Sequence, residues 1–187
     1  MKKRLAPLLI LLLLILAGED WYSSKMEGFV VSAKPSAPRA SATPAPHLPL
    51  VTRVIDGDTI VVLINGVSEK VRLIGVDTPE TVDPRKTVQC FGKEASSFTN
   101  ELLENRAVTL EADPSQGDRD RYRRLLRYVF LEDGTLVNKE IIIRGYGHEY
   151  TYRIPYKYQS EFKNAERTAR EYQKGLWAPN VCEFKNT

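Results

Sequence analysis

The sequence predicts an α+β domain in which a small five-stranded Greek-key barrel carries three packed α-helices. Three observations point there. Five short β-branched stretches are spread over the second and third quarters of the chain, residues with helical spacing lie between and after them, and Asn65-Gly66 is a strong signal for a two-residue hairpin. Taken in order, Val51 to Asp56 and Thr59 to Ile64 are β-branched and partly alternating, as strands are, and the Asn65-Gly66 turn leads into a third strand over Val67 to Val76. These form an antiparallel meander. Ala95, Phe98, Leu102 and Leu103 recur at helical spacing over Gly92 to Arg106. Ala107 to Ala112 reads as the fourth strand and Leu125 to Leu131 as the fifth, closed by an Asp133-Gly134 turn. Leu136 to Arg144 is a short helix stopped by Gly145. Tyr158 to Lys174 is a longer one, with Phe162, Ala165, Ala169 and Tyr172 as its apolar side and Gly175 at its end. Short strands with interleaved helices fit a barrel of the OB type.

The domain occupies 49–187. Before it, Met1-Lys2-Lys3-Arg4 is a basic segment and Leu5 to Ala17 is apolar throughout, with Glu19 and Asp20 ending it. Thirteen helical residues reach about 20 Å against about 30 Å of hydrocarbon, so residues 1–18 read as a signal peptide, with an uncleaved N-terminal anchor as the alternative. The protein is therefore expected to be exported, either secreted or tethered to the outer face of the membrane. Residues 19–48 read as a linker, and Ser32 to Pro49 is so rich in Pro, Ala and Ser that it has no core to bury. No oligomerisation signal is present, so a monomer with no protein partner is expected.

The formal net charge of +3 comes from residues 1–48, where Lys2, Lys3, Arg4, Lys25, Lys34 and Arg39 outnumber Glu19, Asp20 and Glu27. The folded part is formally neutral. Any affinity for a polyanion must come from a local patch. Cys90 and Cys182 are the two cysteines. In an oxidising compartment they should pair, closing a loop worth up to roughly 4–5 kcal/mol in the chain-entropy model. Two histidines, His47 in the linker and His148 in a Gly-rich turn, disfavour histidine-based or zinc hydrolysis, and no P-loop, G-x-S-x-G or C-x-x-C motif occurs.

Three segments carry the chemistry. In VIDGDT (Val54 to Thr59), Asp56 and Asp58 flank a glycine; in VRLIGVDTPE (Val71 to Glu80), Asp77 and Glu80 flank Thr78-Pro79. Each alone reads equally as a turn or a strand stop. In a meander, however, the start of the second strand and the end of the third share one sheet end, where Asp58 and Asp77 can share a cation. Oxygen ligands suit Ca²⁺ or Mg²⁺ rather than zinc. Arg72 alternates with Val71 and Leu73, and so lies on the face opposite both; that face is either solvent or the site. The third segment, DRDRYRRLLRY (Asp118 to Tyr128), holds Arg119, Arg121, Arg123, Arg124 and Arg127 around Tyr122. Most of such a run is ordinarily solvated, with one or two arginines reaching a phosphate. Arginines interleaved with tyrosines (Tyr122, then Tyr146, Tyr150 and Tyr152) are what single-stranded nucleic acid binding uses, whereas Tyr156 and Tyr158 are expected to pack under the last helix.

From about Leu50 to Trp177 the chain resembles the staphylococcal nuclease family. The resemblance rests on VIDGDT, VRLIGVDTPE, FGKEAS (Phe91 to Ser96), DRDRYRR, LEDGTLVNKEIIIRGYG and GLW (Gly175 to Trp177), all in order at family spacing. It implies an OB-fold barrel with three helices and Ca²⁺-dependent hydrolysis of single-stranded DNA, double-stranded DNA and RNA at the P–O5′ bond, leaving 3′-phosphates. By motif position, Asp58, Asp77 and the Thr78 carbonyl would be Ca²⁺ ligands with Asp56 in support. Glu80 would activate water, and Arg72 and Arg124 would stabilise the transition state. Tyr122, Tyr150 and Tyr152 would contact nucleotides. One departure stands out: the family usually has glycine directly before the catalytic arginine, and here that position is Arg123. A domain that only bound nucleic acid would have no reason to keep carboxylates facing a phosphate.

Overall fold

Alternation of apolar and polar residues decides the first half of the fold. The computed structural model describes residues 48–81 and 89–182. The expected export segment, nearly all of the linker and His47 lie outside the described residues. Strands β1 (Leu50–Asp56), β2 (Thr59–Ile64) and β3 (Val67–Leu73) form an antiparallel meander. Asn65 at φ 50° and Gly66 at φ 82° make the β2–β3 turn, both in the left-handed region that a type I′ hairpin requires. In β3, Val71 and Leu73 are fully buried, and Arg72 points to the opposite face.

β3 also pairs in parallel with β6 (Leu125–Phe130), matching Arg72 with Leu126, and β6 pairs antiparallel with β5 (Thr109–Glu111). The sheet order is β1-β2-β3-β6-β5. Its far edges curl toward each other without closing. Val51 N–H donates to the Arg106 carbonyl at 2.9 Å and Val108 N–H to the Pro49 carbonyl at 2.8 Å, just ahead of β5. This is the expected five-stranded barrel, curled from one sheet.

Helix α1 (Gly92–Leu103), α2 (Val137–Ile143) and α3 (Gln159–Glu171) cover it, and a 3₁₀ turn spans Gly175–Trp177. The core gathers Ile60, Val62, Val71, Tyr128, Ile141 and Phe162, all without solvent exposure. Burying side chains of this size stabilises by about 1.5–3 kcal/mol each. Asn138 on α2 ties the layers together: its Nδ2 donates to the Ile74 carbonyl at 2.9 Å, and its Oδ1 accepts from Val129 N–H at 2.9 Å.

The third strand ends earlier than its composition suggests. Gly75, at φ 75°, lies where an added Cβ would come within 2.6 Å of the Tyr156 ring. The chain bends there, and Val76–Asp77 becomes a separate strand, β4, paired with β7 (His148–Glu149). His148 is thus in a short strand rather than in a turn. The first helix stops at Leu103 rather than Arg106, because Asn105 is left-handed at φ 60°. Tyr172 is 71% exposed, since the helix ends one residue before it and its ring leaves the packed face.

Candidate active site

The β1–β2 turn and the end of β4 meet because Gly57 lets them. A Cβ on Gly57 would lie 2.7 Å from Thr78 Oγ1. This approach brings Asp58 under the Asp77-Thr78 segment, and Asp58 is 6% exposed. Its Oδ2 accepts the Thr78 N–H at 3.1 Å and faces Arg72 Nη2 at 3.0 Å. Its Oδ1 accepts the Thr59 hydroxyl at 3.0 Å. These three donors compensate the buried carboxylate, as its burial demands.

Arg72 is the hub. Nη1 donates to the carbonyls of Leu73 (3.0 Å) and Val76 (2.6 Å), so the guanidinium caps the bend after β3. Nη2 donates to Asp77 Oδ1 at 3.2 Å while it faces Asp58. The structure therefore joins Asp58 and Asp77 through one guanidinium nitrogen. Asp56 lies beside them: its Oδ1 accepts the Asp58 N–H at 3.3 Å. Burial, and then the neighbouring Asp58 charge, push the Asp56 carboxyl up to about 7. Burial is the larger cause; the smaller part, from the Asp58 charge, is what a bound cation would relieve.

Among the described residues no group of three or more His, Cys, Asp or Glu side chains is gathered as a metal site. The available oxygen donors are the carboxylates of Asp58 and Asp77, both on Arg72 Nη2, with Asp56 beside Asp58 and Thr78 next in the chain to Asp77. Such a set fits a hard cation that keeps most of its water, and does not fit zinc.

The arginine segment folds back onto this sheet end. Asp120 Oδ1 accepts the N–H groups of Tyr122 (2.9 Å) and Arg124 (3.0 Å), and its Oδ2 holds Arg124 Nε at 2.7 Å. Arg124 Nη1 then reaches Thr59 Oγ1 at 3.2 Å. Thr59 thus links Arg124 to Asp58. Arg123, at φ 66°, occupies the left-handed position of the turn, which explains why a glycine suits it. Arg119 forms a two-pronged pair with Glu69 and Arg127 pairs with Asp118, so with Arg124 on Asp120 three members of the run are paired with carboxylates.

A cleft of about 500 Å³ opens alongside, lined by Arg72, Asp77, Tyr122, Arg124, Tyr150 and Tyr152 among others. Tyr122 and Tyr152 are 62% and 61% exposed. The Arg121 guanidinium lies 4.7 Å from the Tyr122 ring centre and Arg153 lies 5.0 Å from that of Tyr152. Tyr156 also lines the cleft but is buried, and Tyr158 stacks on Phe162 with ring centres 6.2 Å apart. Glu80 sits on the loop after β4, its Oε1 accepting the Thr81 N–H at 2.9 Å. Cys90 and Cys182 are disulfide-bonded, with Cα atoms 5.7 Å apart. Thr59 and Asp120 take part in this network without having been singled out in the sequence. Asp120 alone carried a signal, as a turn-forming aspartate four residues before an arginine.

Guanidinium groups over paired carboxylates, beside an aromatic cleft on an OB-type barrel, define a domain built to handle phosphate esters. Comparison with known proteins narrows this. The family described as staphylococcal nuclease homologue matches residues 70–179. The chain is 44% identical over 128 residues to the thermonuclease of Staphylococcus hyicus, covering 68% of this chain and 74% of that protein. The thermonuclease of Staphylococcus intermedius matches to the same extent. Endonuclease YncB of Bacillus subtilis (strain 168) is 40% identical over 128 residues, covering 67% of this chain and 59% of that protein. The chain belongs to the staphylococcal nuclease family.

Proposed function

We propose that this protein is an exported, Ca²⁺-dependent nuclease that hydrolyses phosphodiester bonds of DNA and RNA with little sequence preference and leaves 3′-phosphates. The observation that carries this reading is Arg72 Nη2 placed 3.0 Å from Asp58 and 3.2 Å from Asp77. This arrangement places a guanidinium where a phosphate could reach it, and a metal joining the two carboxylates would offset their repulsion of the substrate. Asp58, Asp77 and the Thr78 carbonyl would hold the Ca²⁺, with Asp56 in support. When bound, the metal supplies charge neutralisation and polarisation of the phosphoryl oxygen. Glu80 takes a proton from the attacking water. Arg72 and Arg124 hold the non-bridging oxygens and stabilise the charge that develops on them. Tyr122, Tyr150 and Tyr152 stack or align the nucleotides, and the absence of any base-edge reader in this reading gives low sequence preference.

Export is supported by the disulfide, which belongs to an oxidising compartment. Residues 1–18 would serve as signal or anchor and residues 19–48 as the linker. The test is incubation of the full-length protein with end-labelled single-stranded DNA and RNA in Ca²⁺, with product ends identified by phosphatase sensitivity. Fragments ending in 3′-phosphate are expected from both. Binding without cleavage would replace this reading with a nucleic-acid-binding module.

A further inference from the structure

The turn that precedes α1 is strained and tied to Glu80. Gly92 N–H donates to the Gln89 carbonyl at 3.1 Å, closing a turn in which Phe91 has φ 67° and ψ 4°. A phenylalanine in this left-handed region is an outlier that its surroundings must hold in place. Two features hold it. Cys90, the residue before, is bonded to Cys182 near the other end of the chain, and the Phe91 ring stacks on Tyr146 with centres 5.4 Å apart.

The same turn grips the backbone of Glu80 from two sides. Glu80 N–H donates to Gln89 Oε1 at 2.8 Å, and Gln89 N–H donates back to the Glu80 carbonyl at 2.9 Å. Gly92 packs so closely beneath that a Cβ there would lie 2.7 Å from Thr81 Cγ2 and 3.1 Å from the Glu80 carbonyl oxygen. Because the Glu80 carboxylate accepts the adjacent Thr81 N–H, fixing this stretch of backbone also fixes the carboxylate.

We propose that Gln89 is a positioning residue for Glu80, and that the Cys90–Cys182 disulfide keeps Gln89 in place, so that a covalent bond to the C-terminal end of the chain sets the turnover of the site. This rests on the reading of Glu80 as the group that activates water. Gln89 touches no reacting atom. It acts by holding the Glu80 main chain, and a displacement of about 1 Å at a reacting group is enough to cost about 10²-fold in rate.

The test uses the full-length protein and two readouts, turnover on single-stranded DNA in saturating Ca²⁺ and hydrogen exchange at the Glu80 amide. Gln89→Ala is expected to lower kcat by at least about 10-fold, toward that limit, with KM nearly unchanged, and to speed exchange at Glu80. Gln89→Glu, which keeps the accepting oxygen, is expected to restore most of both. Cys90→Ser with Cys182→Ser is expected to change both readouts in the same direction while the core amides of β2 and β6 stay protected. Should that double variant fail to fold, the Gln89 variants decide the matter with the disulfide intact. Wild-type kcat together with wild-type exchange in Gln89→Ala would overturn the proposal. A wild-type protein that cleaves nothing, while Gln89→Ala still speeds exchange at the Glu80 amide, would overturn the nuclease reading and leave established only the hold of Gln89 on the Glu80 backbone.

Discussion

Thr59 Oγ1 accepts a hydrogen bond from Arg124 Nη1 at 3.2 Å while donating its own proton to Asp58 Oδ1 at 3.0 Å. The hydroxyl of Thr59, a residue 3% exposed, therefore links Arg124 and a buried carboxylate. Thr59→Val keeps the shape and removes both bonds. Leaving a buried charged acceptor one donor short costs about 1–3 kcal/mol. Urea denaturation should show that loss, and calcium titration of cleavage should show weaker apparent affinity for Ca²⁺ alongside a lower rate. Unchanged stability and unchanged calcium affinity would refute the coupling.

At Arg123 the resemblance to the family leads one to expect glycine, and an arginine there has a backbone cost. A non-glycine residue at φ 66° is strained by about 1–2 kcal/mol, whereas glycine loses about 0.5–1 kcal/mol through the greater freedom of its unfolded chain. The first effect is larger, so Arg123→Gly should stabilise the fold by about 0.5–1 kcal/mol. Arg123→Ala keeps the strain and should give no gain. Chemical denaturation of both variants separates backbone strain from loss of charge.

Gly75 has the opposite sensitivity. Gly75→Ala meets the left-handed penalty and a 2.6 Å approach to the buried Tyr156 ring at once. Strain of about 1–2 kcal/mol and overpacking of about 1–3 kcal/mol together predict a loss near 3 kcal/mol. Thermal unfolding should register a lower Tm. A near-neutral result would mean that the β3–β4 bend relaxes freely.

Asp113 makes the fold acid-sensitive. Burial works to raise its carboxyl, but the Lys157 N–H, the Tyr128 hydroxyl at 2.7 Å and Ser115 outweigh that and hold it below the usual carboxylate range. A folded-state value below the unfolded value of about 3.9 contributes stability above that pH, and the contribution is lost as pH falls through the folded value. Asp113→Asn should therefore be less stable than wild type at pH 7, with the gap narrowing below about pH 4. A gap that is constant from pH 7 to pH 2 would show that the carboxylate's ionisation does not matter.

Much of the site was legible because it follows local rules. Arg72 between Val71 and Leu73 had to face away from the core, and Asn65-Gly66 set the hairpin that pairs Arg72 with Thr59, the neighbour of Asp58. What escaped reading depends on contacts between distant segments. The two-residue strands β4 and β7 are too short to show periodicity, and they form because Gly75 fits against Tyr156. Gln89 carries no motif, and its role exists only because Gly92 packs on the Pro79–Thr81 backbone. Tyr172 continues the apolar spacing of α3 but lies just past its end, and spacing alone does not show where a helix stops.

The most direct measurement is the rate of single-stranded DNA cleavage by the full-length protein with Ca²⁺ and with excess chelator, beside Glu80→Gln. Cleavage in Ca²⁺ that disappears in chelator and falls by about 10²-fold or more in Glu80→Gln is the expected result. Cleavage that persists in chelator, or that survives undiminished in Glu80→Gln, would contradict a metal-dependent site built on these carboxylates.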